Sequence, residues 1–295
     1  MCSIIGYSGS EIAAPIIVKG LKRMEYRGYD SVGVATESEN QIELKKGTGK
    51  VTEVNSKFQL DTLPGRIGIG HTRWATHGKV TDLNAHPHPS NSGKIAIVHN
   101  GIIENFEELK KQLEDEGYSF KSETDSEIIA NLLQKNYEST KNVKDTIMKT
   151  VSAIKGHYAF VAMFENGQLA AARFHEPLII GVGQENIFLS SDVLGFIEYT
   201  DNAIYMKSGN FVILENNEFQ ILDFNGEKVK HEITKVSKEF GDAYKGDYAH
   251  FTLKEIYEQP DLILKAEERT IEGVEEAVEY IRSAKNIYIT GSGTS

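Results

Sequence analysis

Two asparagine-rich turns place the strongest limit on how this chain can fold. Asn166-Gly167 lies between the apolar runs Tyr158 to Phe164 and Gln168 to Arg173, and Asn216-Asn217 lies between Phe211 to Leu214 and Phe219 to Asp223. Asn and Gly tolerate the positive φ that tight hairpin turns demand, so each pair of runs reads as an antiparallel hairpin. Further strands read from Ser3 to Tyr7, Val32 to Thr36, Ile42 to Lys46, Ile67 to Gly70, and Lys94 to His99, the last stopping at Asn100-Gly101. Helices fall between them in blocks. Ile12, Ile16, Ile17, Leu21 and Met24 recur at helical spacing from Glu11 to about Met24, with Pro15 tolerated in the first turn. Asn105 to Glu116 is amphipathic, and Ser122 to Glu127 reads as a helix start, with capping side chains ahead of Ile128, Ile129, Leu132 and Leu133. Hairpin strands with helices inserted in blocks predict antiparallel sheets covered by helices, an α+β fold.

Past about Val236 the character changes. Residues 251–285 are charged and helical, and Ile287-Tyr288-Ile289-Thr290 reads as a buried strand running into Gly291-Ser292-Gly293-Thr294-Ser295. A strand ending in a small-residue loop opens phosphate-binding βα units, because free N–H groups and the next helix N-terminus attract anions. That helix is missing, so the expected organisation is one domain over 1–240 and, over 241–295, linker helices with the truncated start of a second. The balance of 32 Lys+Arg against 43 Asp+Glu, a formal charge of -11, argues against nucleic acid as the main partner. No apolar stretch approaches the ~18 residues of a membrane span, and no signal-peptide pattern opens the chain. The single cysteine excludes an internal disulfide. The expectation is a cytoplasmic protein without a membrane partner.

That cysteine is Cys2. Once Met1 is removed, one residue carries both a thiol and a free α-amine, whose ordinary pKa values of about 8.5 and about 8 let the amine take the thiol proton near neutral pH. The alternative is an unreactive cysteine in a small buried strand. His71-Thr72-Arg73-Trp74-Ala75-Thr76-His77-Gly78 follows the strand from Ile67 and is too polar and glycine-bounded for a strand interior, so it reads as a functional loop. His71, His77, His86, His88 and His99 could also be read as a metallohydrolase site, but no recurring metal-ligand spacing with a carboxylate supports it. Taken singly, Asn100-Gly101 fits a hairpin turn, Arg73 a surface charge, Asp125 a helix cap and Trp74 a core aromatic.

Taken together, six ordered motifs resemble one family. Met1-Cys2, Tyr26-Arg27-Gly28-Tyr29-Asp30-Ser31, the 71–78 segment, Asn84-Ala85-His86-Pro87-His88, His99-Asn100-Gly101-Ile102-Ile103-Glu104-Asn105 and Ser122-Glu123-Thr124-Asp125 look like the glutaminase domain of the glutamine:fructose-6-phosphate aminotransferases. The stretch His250 to Pro260 and Gly291 to Ser295 resemble that family's linker and the opening of its sugar isomerase domain. The resemblance implies a four-layer αββα sandwich of the N-terminal nucleophile hydrolase type, with two antiparallel sheets. It implies Cys2 as nucleophile, with its α-amine as base and then acid, and Asn100 and Gly101 as oxyanion donors. Arg73, Thr76, His77 and Asp125 would hold the substrate, with Arg73 forked on the α-carboxylate and Asp125 on the α-ammonium. His86 would close over the substrate, Arg27 would support the N-terminal region, and Trp74 would gate an ammonia channel. Implied partners are glutamine and, in the full-length enzyme, fructose-6-phosphate and further copies of the chain in a homo-oligomer. No cofactor and no metal is implied.

Two positions depart from the family pattern. Ser3 stands where glycine is usual and its Cβ is expected to crowd the backbone near the thiol, and Ser292 stands where many relatives carry cysteine. Rival readings are an amidotransferase that feeds a phosphoribosyl or aspartyl acceptor, which the isomerase-like tail opposes, and a binding module in which Cys2 is dispensable.

Overall fold

Side-chain alternation along β1 (Ser3–Gly9) decides the layering, because Ile4 and Ile5 are both fully buried yet face opposite ways. The computed structural model describes residues 2–75, 78–236, 248, 251–267 and 274–290, and the chain divides into two compact units, Met1–Ala243 and Tyr244–Ser295. In the first unit β1 is followed by α1 (Ala13–Arg23), β2 (Ser31–Ser38), β3 (Gln41–Thr48), α2 (Val51–Phe58), β4 (Ile67–Arg73), β5 (His88–Pro89) and β6 (Ile95–Ile103). Then come α3 (Phe106–Asp115), α4 (Ser126–Thr140), α5 (Val143–Ala153), β7 (Gly156–Phe164), β8 (Leu169–Phe174), β9 (Ile179–Val182) and β10 (Asn186–Ser190). The unit continues with β11 (Asn202–Tyr205), β12 (Asn210–Glu215), β13 (Glu218–Asp223) and β14 (Thr234–Lys235).

One sheet has eight strands in the order β14-β11-β9-β10-β1-β4-β2-β3, and the other six in the order β13-β12-β8-β7-β6-β5. Every pairing among the described residues is antiparallel, as the hairpin turns predict. Asn216 and Asn217 take φ of 51° and 61°, the positive values that a two-residue turn between β12 and β13 needs.

Three apolar clusters separate the layers. Ile4, Ile69 and Leu189 of the first sheet meet Val98, Val161 and Ala171 of the second. On the outer face of the first sheet Ile5 and Phe188 pack on Ile17 and Leu21 of α1, and on the outer face of the second Ile97 and Phe160 pack on Ile129, Leu133 and Ile147 of α4 and α5. Each fully buried aliphatic or aromatic side chain contributes about 1.5–3 kcal/mol. The result is the expected αββα sandwich.

Period-two alternation then carries the polar ends of three strands into the space between the sheets. Cys2 precedes Ile4 by two, His71 and Arg73 follow Ile69, and Asn100 follows Ala96 and Val98. Ser3 points the other way and its hydroxyl, fully buried, donates to Met24 O at 3.0 Å. Ser3 keeps its place in the ladder opposite Thr72 and gives its hydroxyl a partner at the end of α1.

Several expectations are corrected. The polar segment from His71 is not wholly a loop: β4 runs on to Arg73 because it lies between β1 and β2 and both neighbours supply ladder bonds. Likewise β6 does not stop at Asn100-Gly101. It continues to Ile103 beside β7, with Asn100 opposite Ala159 and Gly101 opposite Tyr158, so no hairpin turn forms there. The first helix begins at Ala13 rather than Glu11. Asp125 is the N-terminal residue flanking α4, yet its side chain caps nothing in that helix.

In the second unit, α6 (Phe251–Glu267) contains Pro260, and α7 (Val274–Ser283) follows. The expected strand at Ile287 to Thr290 is absent, with Ile287, Tyr288 and Ile289 exposed by 59%, 86% and 95%. Apolar residues alone do not make a strand without a neighbour to complete the ladder, and among the described residues none pairs with this segment.

Candidate active site

Cys2, Arg27, Arg73, Trp74, His86, Asn100, Gly101 and Asp125 line one cavity of about 510 Å³ at the end of the sheet-to-sheet space. Cys2 is half-buried, and the Trp74 N–H donates to its Sγ at 3.1 Å. Burial pushes the thiol pKa up, while the Trp74 N–H and the positive charges of the chain terminus, Arg73 and Arg27 pull it back down. Arg27 holds the strand end in place: its Nε donates to Cys2 O at 3.2 Å, and its Nη1 pairs with Asp192 Oδ2 at 3.0 Å. Tyr26 OH donates to the same Asp192 oxygen at 3.1 Å.

The Tyr26 to Asp30 segment lies against the end of β4. Gly28 is needed there because a Cβ would come within 2.9 Å of Arg73 C and Trp74 N. Asp30 then receives the Ala75 N–H on Oδ2 at 2.8 Å. Trp74 is 44% exposed, its ring meeting Tyr29 edge-on at 5.6 Å. It is no core aromatic. Arg73 is buried, with Nη1 donating to Lys79 O at 3.2 Å and Nη2 to Gly78 O at 3.4 Å.

Asn100 has a partner at both ends of its amide. His71 Nε2 lies 3.0 Å from Oδ1, and Nδ2 donates to Cys2 O at 3.3 Å. Next to it, Gly101 has φ of +114°, and a Cβ there would stand 1.9 Å from His157 O, so the close β6–β7 approach admits only glycine. Asp125 Oδ2 accepts the Ile103 N–H at 2.7 Å, and Ser126 Oγ links Asp125 Oδ1 at 3.4 Å to His99 Nδ1 at 2.8 Å.

The segments bearing Arg73 and Asp125 are joined by Asn84 and Glu123. Asn84 Nδ2 donates to Lys79 O at 3.0 Å and to Glu123 Oε2 at 3.0 Å, and Asn84 Oδ1 accepts the Glu123 N–H at 2.9 Å. Lys46 Nζ steadies the adjacent turn by donating to Leu83 O, Ala85 O and Pro87 O at 3.2, 2.6 and 3.1 Å.

His86 is buried in the cavity wall rather than closing over its mouth. Its ring lies tilted against His71 at 4.2 Å and meets His88 edge-on at 4.5 Å. Burial lowers the pKa of His71 to about 3 and takes His86, His88 and His99 below the ordinary range, so this cluster is neutral at pH 7. Among the described residues no three His, Cys, Asp or Glu side chains are set to share a metal ion. Met1, Thr76, His77 and the loop from Gly291 to Ser295, with Ser292, lie outside the described residues.

Sequence reasoning missed His157, Glu176 and Asp192. His157 and Glu176 line the same cavity from β7 and the turn after β8, and Asp192 reaches Arg27 from beyond β10. None belongs to a motif, and strand pairing alone brings them in.

Residues 71–197 match the glutamine amidotransferase domain family. The glutamine phosphoribosylpyrophosphate amidotransferase of B. subtilis, solved with ADP and GMP, matches the fold with a TM-score of 0.67 at 28% identity, over 76% of this chain and 49% of that one. The fold is that of the N-terminal nucleophile hydrolases, shared with these amidotransferases, and residues 71–197 carry the sequence pattern of their glutamine amidotransferase domain. Over its whole length it is 46% identical to the glutamine--fructose-6-phosphate aminotransferase (isomerizing) of Pyrococcus horikoshii and 40% identical to that of Clostridium acetobutylicum. The chain spans about half the length of these curated relatives, 50% in each case. Among the described residues no helix is long and apolar enough to cross a membrane.

Proposed function

We propose that residues 1–240 form a glutaminase domain that releases ammonia from the side-chain amide of glutamine through a Cys2 thioester. In this reading Met1 is removed and the Cys2 α-amine takes the thiol proton. Sγ then attacks the amide carbon, and the electron pair displaced onto the carbonyl oxygen is met by Asn100 Nδ2 and the Gly101 N–H. As the intermediate collapses, the C–N bond breaks and the α-ammonium returns its proton to the departing nitrogen, which leaves as ammonia. Water next attacks the thioester, giving its proton to the α-amine. The C–S bond breaks, the sulfur is reprotonated and glutamate is released.

Arg73, with Thr76 and His77, takes the α-carboxylate, and Asp125 takes the α-ammonium. His86 forms the wall behind them, Arg27 holds the Cys2 carbonyl, and half-exposed Trp74 gates the way out for ammonia. The observation that carries the reading is that thiol, amide, guanidinium and carboxylate line one cavity although they come from sequence positions 2, 100, 73 and 125. The relatives' name supplies the acceptor: we assign 241–295 to a linker and the opening of a sugar isomerase domain, with the ammonia passed to fructose-6-phosphate in a full-length homo-oligomer. A phosphoribosyl acceptor is the weaker reading, since that structural neighbour is 28% identical against 46%. A lone free thiol is in keeping with the cytoplasm, where we place the activity.

The test is glutamine hydrolysis by the 295-residue chain, followed as glutamate and ammonia, with intact mass and labelling by an electrophilic glutamine analogue. We expect Met1 to be absent, a single adduct on Cys2, and no hydrolysis by Cys2→Ala. Full activity with Met1 retained, or in the Cys2→Ala variant, overturns the mechanism.

A further inference from the structure

We propose that His71 is a positioning residue that sets the polarity of the Asn100 amide, holding Oδ1 back and leaving Nδ2 facing the reacting centre. This deepens the reading of Asn100 as an oxyanion donor and rests on it. A primary amide occupies almost the same space when turned by 180°, so its neighbours rather than its shape decide which end faces which way. At Asn100 the two neighbours make opposite demands. Cys2 O, at 3.3 Å, can only accept and therefore calls for Nδ2. His71 Nε2, at 3.0 Å, satisfies Oδ1 only while it carries a proton.

The surroundings of His71 keep it in that state. It lies inside β4, opposite Ile4 on β1 and Gly33 on β2, and is 1% exposed, so neither its backbone nor solvent offers the ring another arrangement. Burial lowers its pKa to about 3, which leaves one proton to place on two nitrogens. Nδ1 has no well-aligned hydrogen-bond partner among the described residues, while the nearby His99 backbone also favours a proton on the ring. The Nε2–H tautomer is the one in which the proton reaches Asn100 Oδ1. The His86 ring, packed against it at 4.2 Å and tilted by 34°, limits rotation of the imidazole that faces Asn100.

Without that donor the amide is free to turn. Oδ1 would then face both Cys2 O and the oxygen on which negative charge develops, and a transition-state donor would become a repulsive acceptor. The loss should appear in kcat and not in KM, because the oxyanion exists only after attack.

Steady-state kinetics on four variants test the proposal, with circular dichroism confirming that each is folded. Asn100→Ala is expected to lower kcat by about 10²–10³, the usual worth of one such donor. His71→Leu, similar in bulk but without a donor, is expected to lower kcat at least tenfold with KM within about threefold. His71→Gln, whose amide N–H reaches toward Oδ1, should recover most of the loss. The His71→Leu/Asn100→Ala double variant should be no slower than Asn100→Ala alone. If His71→Leu does not fold, His71→Met carries the same comparison with His71→Gln. Wild-type kcat in the donorless variant, no advantage of Gln over it, or losses that multiply in the double variant overturns the role of His71. Wild-type kcat in Asn100→Ala instead overturns the oxyanion reading itself, so the two failures are distinguishable.

Discussion

The Trp74 N–H donates to Cys2 Sγ across 3.1 Å, joining the residue that follows β4 to the residue that precedes β1. The contact pulls the thiol pKa down but does not overcome burial, which holds it above its ordinary value. The charges of Arg73 and Arg27 act in the same direction as the Trp74 N–H.

The first prediction concerns that balance. Removing a cation disfavours the thiolate, so Arg73→Ala should move the midpoint of Cys2 alkylation to higher pH. It should also raise KM for glutamine, because a forked pair with the α-carboxylate is lost, while Arg73→Lys, a point charge without the fork, restores the pH midpoint better than KM. Alkylation rate against pH, measured beside steady-state kinetics, checks both; an unchanged midpoint in Arg73→Ala would remove Arg73 from the electrostatics of the thiol.

A second prediction separates charge from framework at Asp125. Its Oδ2 takes the Ile103 N–H at 2.7 Å, and an amide oxygen can do the same. Asp125→Asn should therefore keep the fold, with Tm close to the parent value, yet raise KM for glutamine about 10- to 100-fold as an ionic hydrogen bond of about 1.5–3 kcal/mol is lost. kcat should stay within a few-fold. A large fall in kcat at unchanged KM would contradict the assigned role.

The third prediction is acid instability. His71, His86, His88 and His99 are buried, with pKa values below the 6.5 of the unfolded chain, about 3 for His71. Below pH 6.5 the unfolded state binds protons that the folded state refuses, so folding loses stability as pH falls from about 6.5 toward 3. Each such group contributes up to about 1.4 kcal/mol per pH unit across its window. Thermal denaturation between pH 7.5 and 4.5 should show a flat Tm at the upper end and a steep fall below about 6.5. A Tm that is level down to pH 4.5 would mean that these rings are solvated in the folded protein.

Much of this was legible from residues 1–223 read as a line. Asn-rich turns require positive φ, which made the sheets antiparallel. The alternation Cys2/Ile4, Ile69/His71/Arg73 and Val98/Asn100 already assigns those side chains to one face of each strand. The motifs brought forward a candidate chemistry, because a thiol, a guanidinium and a carboxylate, with the α-amine that Met1 removal would free, are what the proposed amide-cleaving, amino-acid-binding site needs. Local reading failed where polarity was taken for irregular backbone. His71 to Arg73 and Asn100 to Ile103 are polar or glycine-containing yet lie in strands, because flanking strands satisfy their backbone whatever the side chains are.

The tertiary structure alone decided which partner each group has. Asp125 has the position of a helix cap, but packing against β6 turns it onto Ile103. The histidines suggest metal ligands by type, whereas burial makes them neutral, with the His86 ring tilted against His71 and edge-on to His88. Ile287 to Thr290 has the composition of a buried strand, but a strand exists only where a neighbour completes its hydrogen bonds. The sequence by itself determined residue chemistry, strand direction and the face each side chain takes, since these follow from local dihedral preference and period. Hydrogen-bond partner, desolvation and protonation state depend on residues up to 209 positions apart, as in the bond from Ser8 Oγ to Asn217 Oδ1, and only the packing of two sheets against each other brings them together.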